Sequence, residues 1–289
     1  MEQEEERKAT PKKVFIPVFQ DGHDDRVVQL EAVLYDPQEE EHATSSPVFD
    51  GGAATAAAAQ QKTAVVVTHP HPKLGGDLRN NVVSAIFNRF VKEGICAVKF
   101  NFRGVGSSTG SWTWRGTGER EDLKAVCDYL QAHHRVSDIT LIGYSYGSVI
   151  SSSLLPDIPA AKACVAVSYP FGVLPFLLLG WLLPKSLSPV KPILWIMGKE
   201  DQFTGEQRFE RRRREREKAK EELMMMNHLN LPMRRDEWRL VEGADHFWRG
   251  KEQGLVEMIW DWSQRQQQQQ QPSSQEQPHE QEPTSPSSS

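Results

Sequence analysis

The chain is short of cysteine, of long apolar runs and of net positive charge, and each shortage removes a class of protein. Its three cysteines, Cys96, Cys127 and Cys164, are an odd number, and each falls inside an apolar segment. They do not read as a disulfide framework. Together with the acidic, polar N-terminus (MEQEEERKAT), which lacks a signal core, they imply a reducing, cytoplasmic location. The longest apolar run, FGVLPFLLLGWLLP at 171–184, contains two prolines and falls short of the ~18 residues that a membrane span needs. It reads as a candidate lid or membrane-surface segment. A net charge of −5 excludes a dedicated nucleic-acid binder.

Apolar residues are also scarce, at 38%, against roughly 45–50% with glycine counted in an ordinary globular chain. The deficit is concentrated in two places. Residues 37–62 (PQEEEHATSSPVFDGGAATAAAAQQK) have no periodic apolar face and read as a low-complexity insertion. The tail 263–289 carries the glutamine run 266–271 followed by Pro, Ser, Glu and Gln, and is expected to be disordered. A polar N-terminal tail, 1–12, precedes one domain at 13–262, long enough to bury a substantial core.

From residue 63 onward, short apolar runs alternate with helical patterns. AVVVTHP (64–70), ICAVKFNF (95–102), ITLIGYS (139–145), ACVAVSY (163–169) and PILWIMG (192–198) read as strands buried on both faces. Between the first two, Val83, Ile86, Phe87, Phe90 and Val91 form one helical face, and Gly94 is placed to end that helix. Leu123, Val126, Cys127 and Leu130 form another. This alternation predicts a doubly wound, mostly parallel α/β sheet with helices on both faces. VFIPVF (14–19) and VVQLEAVLY (27–35) read as an antiparallel opening pair, RLVEGADHF (239–247) as a last strand and its exit loop, and LVEMIWDW (255–262) as a closing helix. The insertion 205–236 contains RFERRRREREKAKEELMMM, whose interleaved Glu and Arg/Lys predict a solvated helix. Phe209 and Met224–Met226 are expected to seat its ends on the core.

Gly143-Tyr144-Ser145-Tyr146-Gly147 is a G-x-S-x-G, a pattern that chance alone supplies in about one chain in ten of this length. Its setting makes it informative, because it ends an apolar strand and opens a segment of small residues. That is the strand–turn–helix context of a nucleophile elbow. A serine nucleophile needs a base and an acid to orient that base, and in such a sheet they follow in the order Ser, Asp/Glu, His. KEDQF after the fifth of these runs offers Asp201, with Glu200 as a spare, and ADHFW offers His246. Asp245 is adjacent to the histidine and poorly placed to orient its ring. An oxyanion formed at Ser145 requires two backbone N–H donors. Tyr146 provides the first. In Thr68-His69-Pro70-His71-Pro72 the prolines have no N–H, so His71 is the natural second. A metal reading of the two histidines lacks a third ligand.

The segments HPHPKLGGDLRNNVV, FNFRGVGSSTG, GERED and the G-x-S-x-G together resemble the alpha/beta-hydrolase superfamily, in its small, mostly lidless branch. The likeness is dense over 63–150 and thinner over 192–202 and 240–250. It implies a serine hydrolase acting on an ester or related acyl bond, with catalytic Ser145, Asp201 and His246, an oxyanion hole at Tyr146 and His71, and no cofactor or metal. By the same resemblance Arg103 shapes the pocket rim as a structural residue. Trp112, Trp114, Phe171 and Phe176 are expected to line an apolar pocket for medium-chain acyl groups. The expected partner is a small acyl ester, with no nucleic acid and with membrane-surface contact only through 171–184. A peptidase, a thioesterase or a non-catalytic interaction protein on the same fold are the alternatives.

Overall fold

The computed structural model describes residues 9–19, 27–38, 62–172, 182, 191–226 and 236–269. Lys12–Val18 (β1) and Val28–Tyr35 (β2) pair antiparallel, with Lys12 opposite Leu34 and Val18 opposite Val28. The chain continues through Lys62–Thr68 (β3), helix Asn81–Lys92 (α1), Cys96–Phe100 (β4), helix Thr117–His134 (α2), Val136–Tyr144 (β5), helix Tyr146–Leu154 (α3) and Ala161–Val167 (β6). Ile193–Gly198 (β7), helix Glu206–Met226 (α4), Glu237–Val241 (β8) and helix Glu252–Gln268 (α5) complete it. The strands form one sheet in the order β1-β2-β4-β3-β5-β6-β7-β8. β2 runs antiparallel to β4, and from β4 to β8 all pairs are parallel.

Why the strands read as continuous apolar runs is visible in the core. Ala64 and Val66 of β3 face one layer, and Val65 and Val67 face the other. Trp195 and Met197 of β7 separate from Leu194 and Ile196 in the same way. Period-2 alternation with both faces apolar requires helices on both sides. α1 and α5 cover one face, through Ile86, Phe87, Phe90, Leu255, Ile259 and Trp262. α2 and α3 cover the other, with Leu123, Val126 and Val149. α1 begins at Asn80, whose side chain accepts from the amides of Val82 and Val83, and Gly94 follows its end at φ 70°. Both are the residue types those positions favour.

Asp36, at the end of β2, receives Lys62 of β3 at 2.6 Å and His134 at the end of α2 at 2.7 Å. Against burial, which opposes ionisation, these hydrogen bonds hold the Asp36 carboxyl well below the usual carboxylate range. The clasp closes the chain on itself just before and just after 39–61, which lie outside the described residues.

Two expectations are corrected. α5 continues to Gln268, so 263–268 is helix and Ser263 and Gln266 are buried. Gln is a good helix former, and the glutamine run begins inside the helix that Trp262 anchors. Second, Met224 and Met225 do not seat the end of α4. Both are exposed, and the side chain of Met226 is outside the description. Phe209 is buried, 5.1 Å from the Trp238 ring, as expected. The second anchor is Arg216, which is fully buried and donates to Asp236 at 2.6 Å and to the Lys191 carbonyl at 2.9 Å. Lys220 joins the same carboxylate at 3.0 Å. No described helix is long and apolar enough to cross a membrane.

Candidate active site

The G-x-S-x-G lies where β5 gives way to α3. Ser145 takes φ 53° and ψ −116°, a conformation costly for a side-chain-bearing residue. Its amide donates to the Val167 carbonyl at 2.8 Å, which fixes the turn to the neighbouring strand. The two glycines are explained by contact. A Cβ on Gly143 would meet the Gly147 carbonyl oxygen at 2.4 Å, and one on Gly147 would meet the Thr68 carbonyl oxygen at 2.6 Å and that of His69 at 2.7 Å. The elbow is therefore pressed against the end of β3, where the THPHP segment leaves the sheet.

Asp201 follows β7 and His246 follows β8, so three separate strand ends converge, as open α/β sheets arrange their sites. His246 Nε2 lies 2.9 Å from Ser145 Oγ, and His246 Nδ1 lies 2.7 Å from Asp201 Oδ2. All three side chains are buried. The second oxygen of Asp201 accepts the amides of Phe203 and Thr204 at 2.8 and 2.9 Å, so both oxygens of the carboxylate are engaged. The His246 carbonyl accepts the Tyr144 hydroxyl at 2.7 Å, and the Phe203 ring packs 4.3 Å from the imidazole. Glu200 is exposed. Asp245 accepts the amides of Phe247 and Trp248, shaping the turn rather than touching the ring.

Beside the elbow, His71 is the residue before a short 3-10 turn, Pro72–Leu74, and its ring stands edge-on to Tyr146 at 5.0 Å. Its carbonyl accepts from Leu74 and Gly76, which curls the loop. Among the described residues the N–H groups of His71 and Tyr146 have no hydrogen-bond partner. Burial holds the His71 imidazole below its usual pKa, the Glu119 charge opposes this, and Lys73 adds to the lowering.

His69 carries a role that the sequence did not single out. It is fully buried, its Nε2 accepts the Phe102 amide at 3.1 Å, and its Nδ1–H donates to the Pro70 carbonyl at 2.6 Å. The ring thus bolts the β3 exit to the β4 exit, and both its nitrogens are committed within the protein, which removes it as a metal ligand. Burial pushes its pKa down to about 4. In the unfolded chain the value is about 6.5, so as pH falls from 6.5 towards 4 the unfolded state gains a proton that the folded state refuses. Stability is then lost across that window by about 3 kcal/mol and is fully present above it. His69→Gln should lower stability at pH 7 and flatten the decline between pH 7 and 4.5 in urea titrations. Parallel curves for the two proteins would remove this role.

Glu119 and Asp122, from the GERED segment at the start of α2, hold the rim from beneath. Glu119 is buried and accepts the Thr113 amide at 2.8 Å and the Thr113 hydroxyl, and its charge adds to the burial that raises the Tyr146 pKa. It therefore stands between the Trp112–Trp114 loop and the residue after Ser145. Asp122 binds Arg103 through Nε at 2.9 Å and Nη2 at 2.8 Å and also accepts the Arg103 amide, which gives Arg103 a structural place. Burial raises the Asp122 carboxyl to about 6 against the pull of that guanidinium.

Of the expected pocket residues, Trp112 and Trp114 stand beside the His71 loop, their rings 4.7 Å apart, with Trp112 6.0 Å from His71 and Trp114 exposed. Phe171 does not line a pocket. It is buried in the core, stacked on Tyr169 at 4.3 Å, and its amide donates to Thr204 Oγ1 in the Asp201 loop. Phe176 lies outside the described residues, as does most of 171–184. Leu182 from that stretch is fully buried.

A strained serine between two glycines at the centre of a mostly parallel sheet, with helices on both faces, defines a serine hydrolase of the alpha/beta-hydrolase fold. The sequence model of the X-Pro dipeptidyl-peptidase (S15) family matches residues 21–281, and the chain belongs to that family. The chain is 28% identical over 198 residues to an uncharacterized protein of Rickettsia prowazekii (strain Madrid E), covering 68% of this chain and 76% of that one. The structure is similar to an alpha-beta serine hydrolase homologue from Coxiella burnetii, at 25% identity and a TM-score of 0.58 over 86% of this chain and 95% of the other. It also matches a serine hydrolase without a lid from Xanthomonas campestris, at 22% identity and a TM-score of 0.58 over 90% and 95% of the two chains.

Proposed function

We propose that the protein hydrolyses carboxylic esters through an acyl-enzyme on Ser145. The observation that carries this reading is the unbroken relay from Ser145 Oγ through both nitrogens of His246 to Asp201. His246 takes the serine proton as Oγ attacks the ester carbonyl and returns it to the departing alcohol. Asp201 holds the Nδ1–H tautomer and stabilises the imidazolium. The N–H groups of Tyr146 and His71 receive the oxyanion, each such donor lowering the barrier by about 3 kcal/mol. Water, activated by the same histidine, then releases the acid. The sequence runs on side chains and backbone amides alone.

The family name favours a second reading, cleavage of a dipeptide from the amino end of a peptide. That reaction requires a negative site for the substrate α-ammonium. Glu119 and Asp122, beside the site, are buried and committed to Thr113 and Arg103. Among the described residues, Lys73 over the Trp112 and Trp114 rings adds a positive charge beside the site. The ester reading is therefore preferred. Matched oxyester, thioester and Xaa-Pro amide substrates test it, with kcat/KM expected to be highest for oxyesters. Within the oxyester series the Trp112/Trp114 wall should give a maximum at medium acyl length. Amide cleavage equal to ester cleavage would favour the peptidase, and a flat chain-length profile would remove the wall as an acyl site.

A further inference from the structure

We infer that Lys73, held over the faces of Trp112 and Trp114, selects acyl groups that end in a carboxylate; the inference rests on the ester-hydrolase reading and names the substrate class of that site. Lys73 sits in the 3-10 turn that His71 opens, two residues from the amide assigned to the oxyanion. Its Nζ lies 4.3 Å from the Trp112 ring centroid and 5.1 Å from that of Trp114. Two indole faces fix the position of an ammonium while leaving its charge unneutralised. Among the described residues Lys73 forms no ion pair. Its charge adds to the burial that lowers the pKa of the neighbouring His71.

The support beneath this pair is a hydrogen-bonded loop. Thr113, between the two tryptophans, is bound to buried Glu119 through both its amide and its hydroxyl, and the His71 ring stands edge-on to Trp112 and to Tyr146. The indoles, the ammonium and the oxyanion donors are thus parts of one framework. An acyl chain that runs from Ser145 past His71 to this pair would find apolar indole and a positive charge side by side. An amphipathic acyl group with a terminal carboxylate matches that pairing, and one with a terminal ammonium opposes it. The chemistry is ordinary ester hydrolysis: the acyl C–O bond breaks, water supplies OH to the acyl carbon and H to the alcohol, and the distal carboxylate is unchanged.

The test compares 4-nitrophenyl pentanoate with mono-4-nitrophenyl glutarate, which exchanges the terminal methyl for a carboxylate, on the full chain. The glutarate-to-pentanoate ratio of kcat/KM should fall about fivefold in Lys73→Gln, the scale of one exposed ion pair, and further in Lys73→Glu. Lys124→Gln, an exposed substitution on α2 away from the site, should leave the ratio alone. In the unaltered protein the ratio should fall as salt is raised, a reading that needs no variant. An unchanged ratio in both Lys73 variants and in salt, with pentanoate still hydrolysed, overturns the Lys73 inference and keeps the esterase. Failure to hydrolyse either ester overturns both.

Discussion

Ser145→Ala is expected to abolish covalent labelling by a fluorophosphonate and to reduce ester kcat/KM by at least about 10⁴-fold, because without the hydroxyl no acyl-enzyme forms. The rest of the site should survive the change. Alanine keeps the Cβ, so the elbow retains the packing of Gly143 and Gly147 against each other and against the end of β3. The hydrogen bond lost is the one to His246 Nε2, and a single such bond is worth about 1 kcal/mol. The thermal midpoint should therefore stay close to that of the unaltered protein, and this separates loss of chemistry from loss of fold. Labelling that persists in Ser145→Ala would mean another nucleophile. No labelling of the folded, unaltered protein would move the non-catalytic reading ahead of the enzyme.

The sheet and its two helical layers were legible because burial leaves a period in the sequence. Alternate residues of β3 and β7 enter opposite layers, and the face Val83, Ile86, Phe87, Phe90 repeats at helical spacing. That Ser145, Asp201 and His246 meet could be expected because each stands in the loop that follows a strand, β5, β7 and β8. What could not be read were side chains whose partners are distant in sequence and whose type suggested something else. His69 pairs with Phe102, 33 residues on, and nothing local marks the contact. Arg216 lies in a stretch that reads as solvated charge, yet it is fully buried on Asp236. Such a pair is costly to desolvate, so composition gives no reason to expect it. Phe171 failed for the opposite reason. An apolar residue beside a site can line a pocket or fill the core, and only the Tyr169 stack decides between them.

Asp201→Asn should lower kcat by about 10³–10⁴-fold while leaving the protein folded, and the structure supplies the cause. One carboxylate oxygen accepts two backbone amides, those of Phe203 and Thr204, and the other faces His246 Nδ1. An asparagine must keep its carbonyl oxygen toward the two amides, since an NH2 group there would leave both donors unpaired. Its NH2 is then turned to His246 Nδ1, which must accept, and the ring proton moves to Nε2. A protonated Nε2 cannot take the proton of Ser145, so the base is lost through its tautomer rather than its position. Nitrogen-15 NMR of the histidine ring should show the proton on Nδ1 in the unaltered protein and on Nε2 in the variant. Glu200→Gln and Asp245→Asn are the controls. Glu200 is exposed, and Asp245 serves two backbone amides that an asparagine oxygen also satisfies. Both should stay within about threefold of normal activity, as changes that leave the relay intact. Activity of Asp201→Asn within tenfold of normal, or a loss in Glu200→Gln as large as that in Asp201→Asn, would transfer the acid to another residue and break the relay on which the ester-hydrolase reading stands.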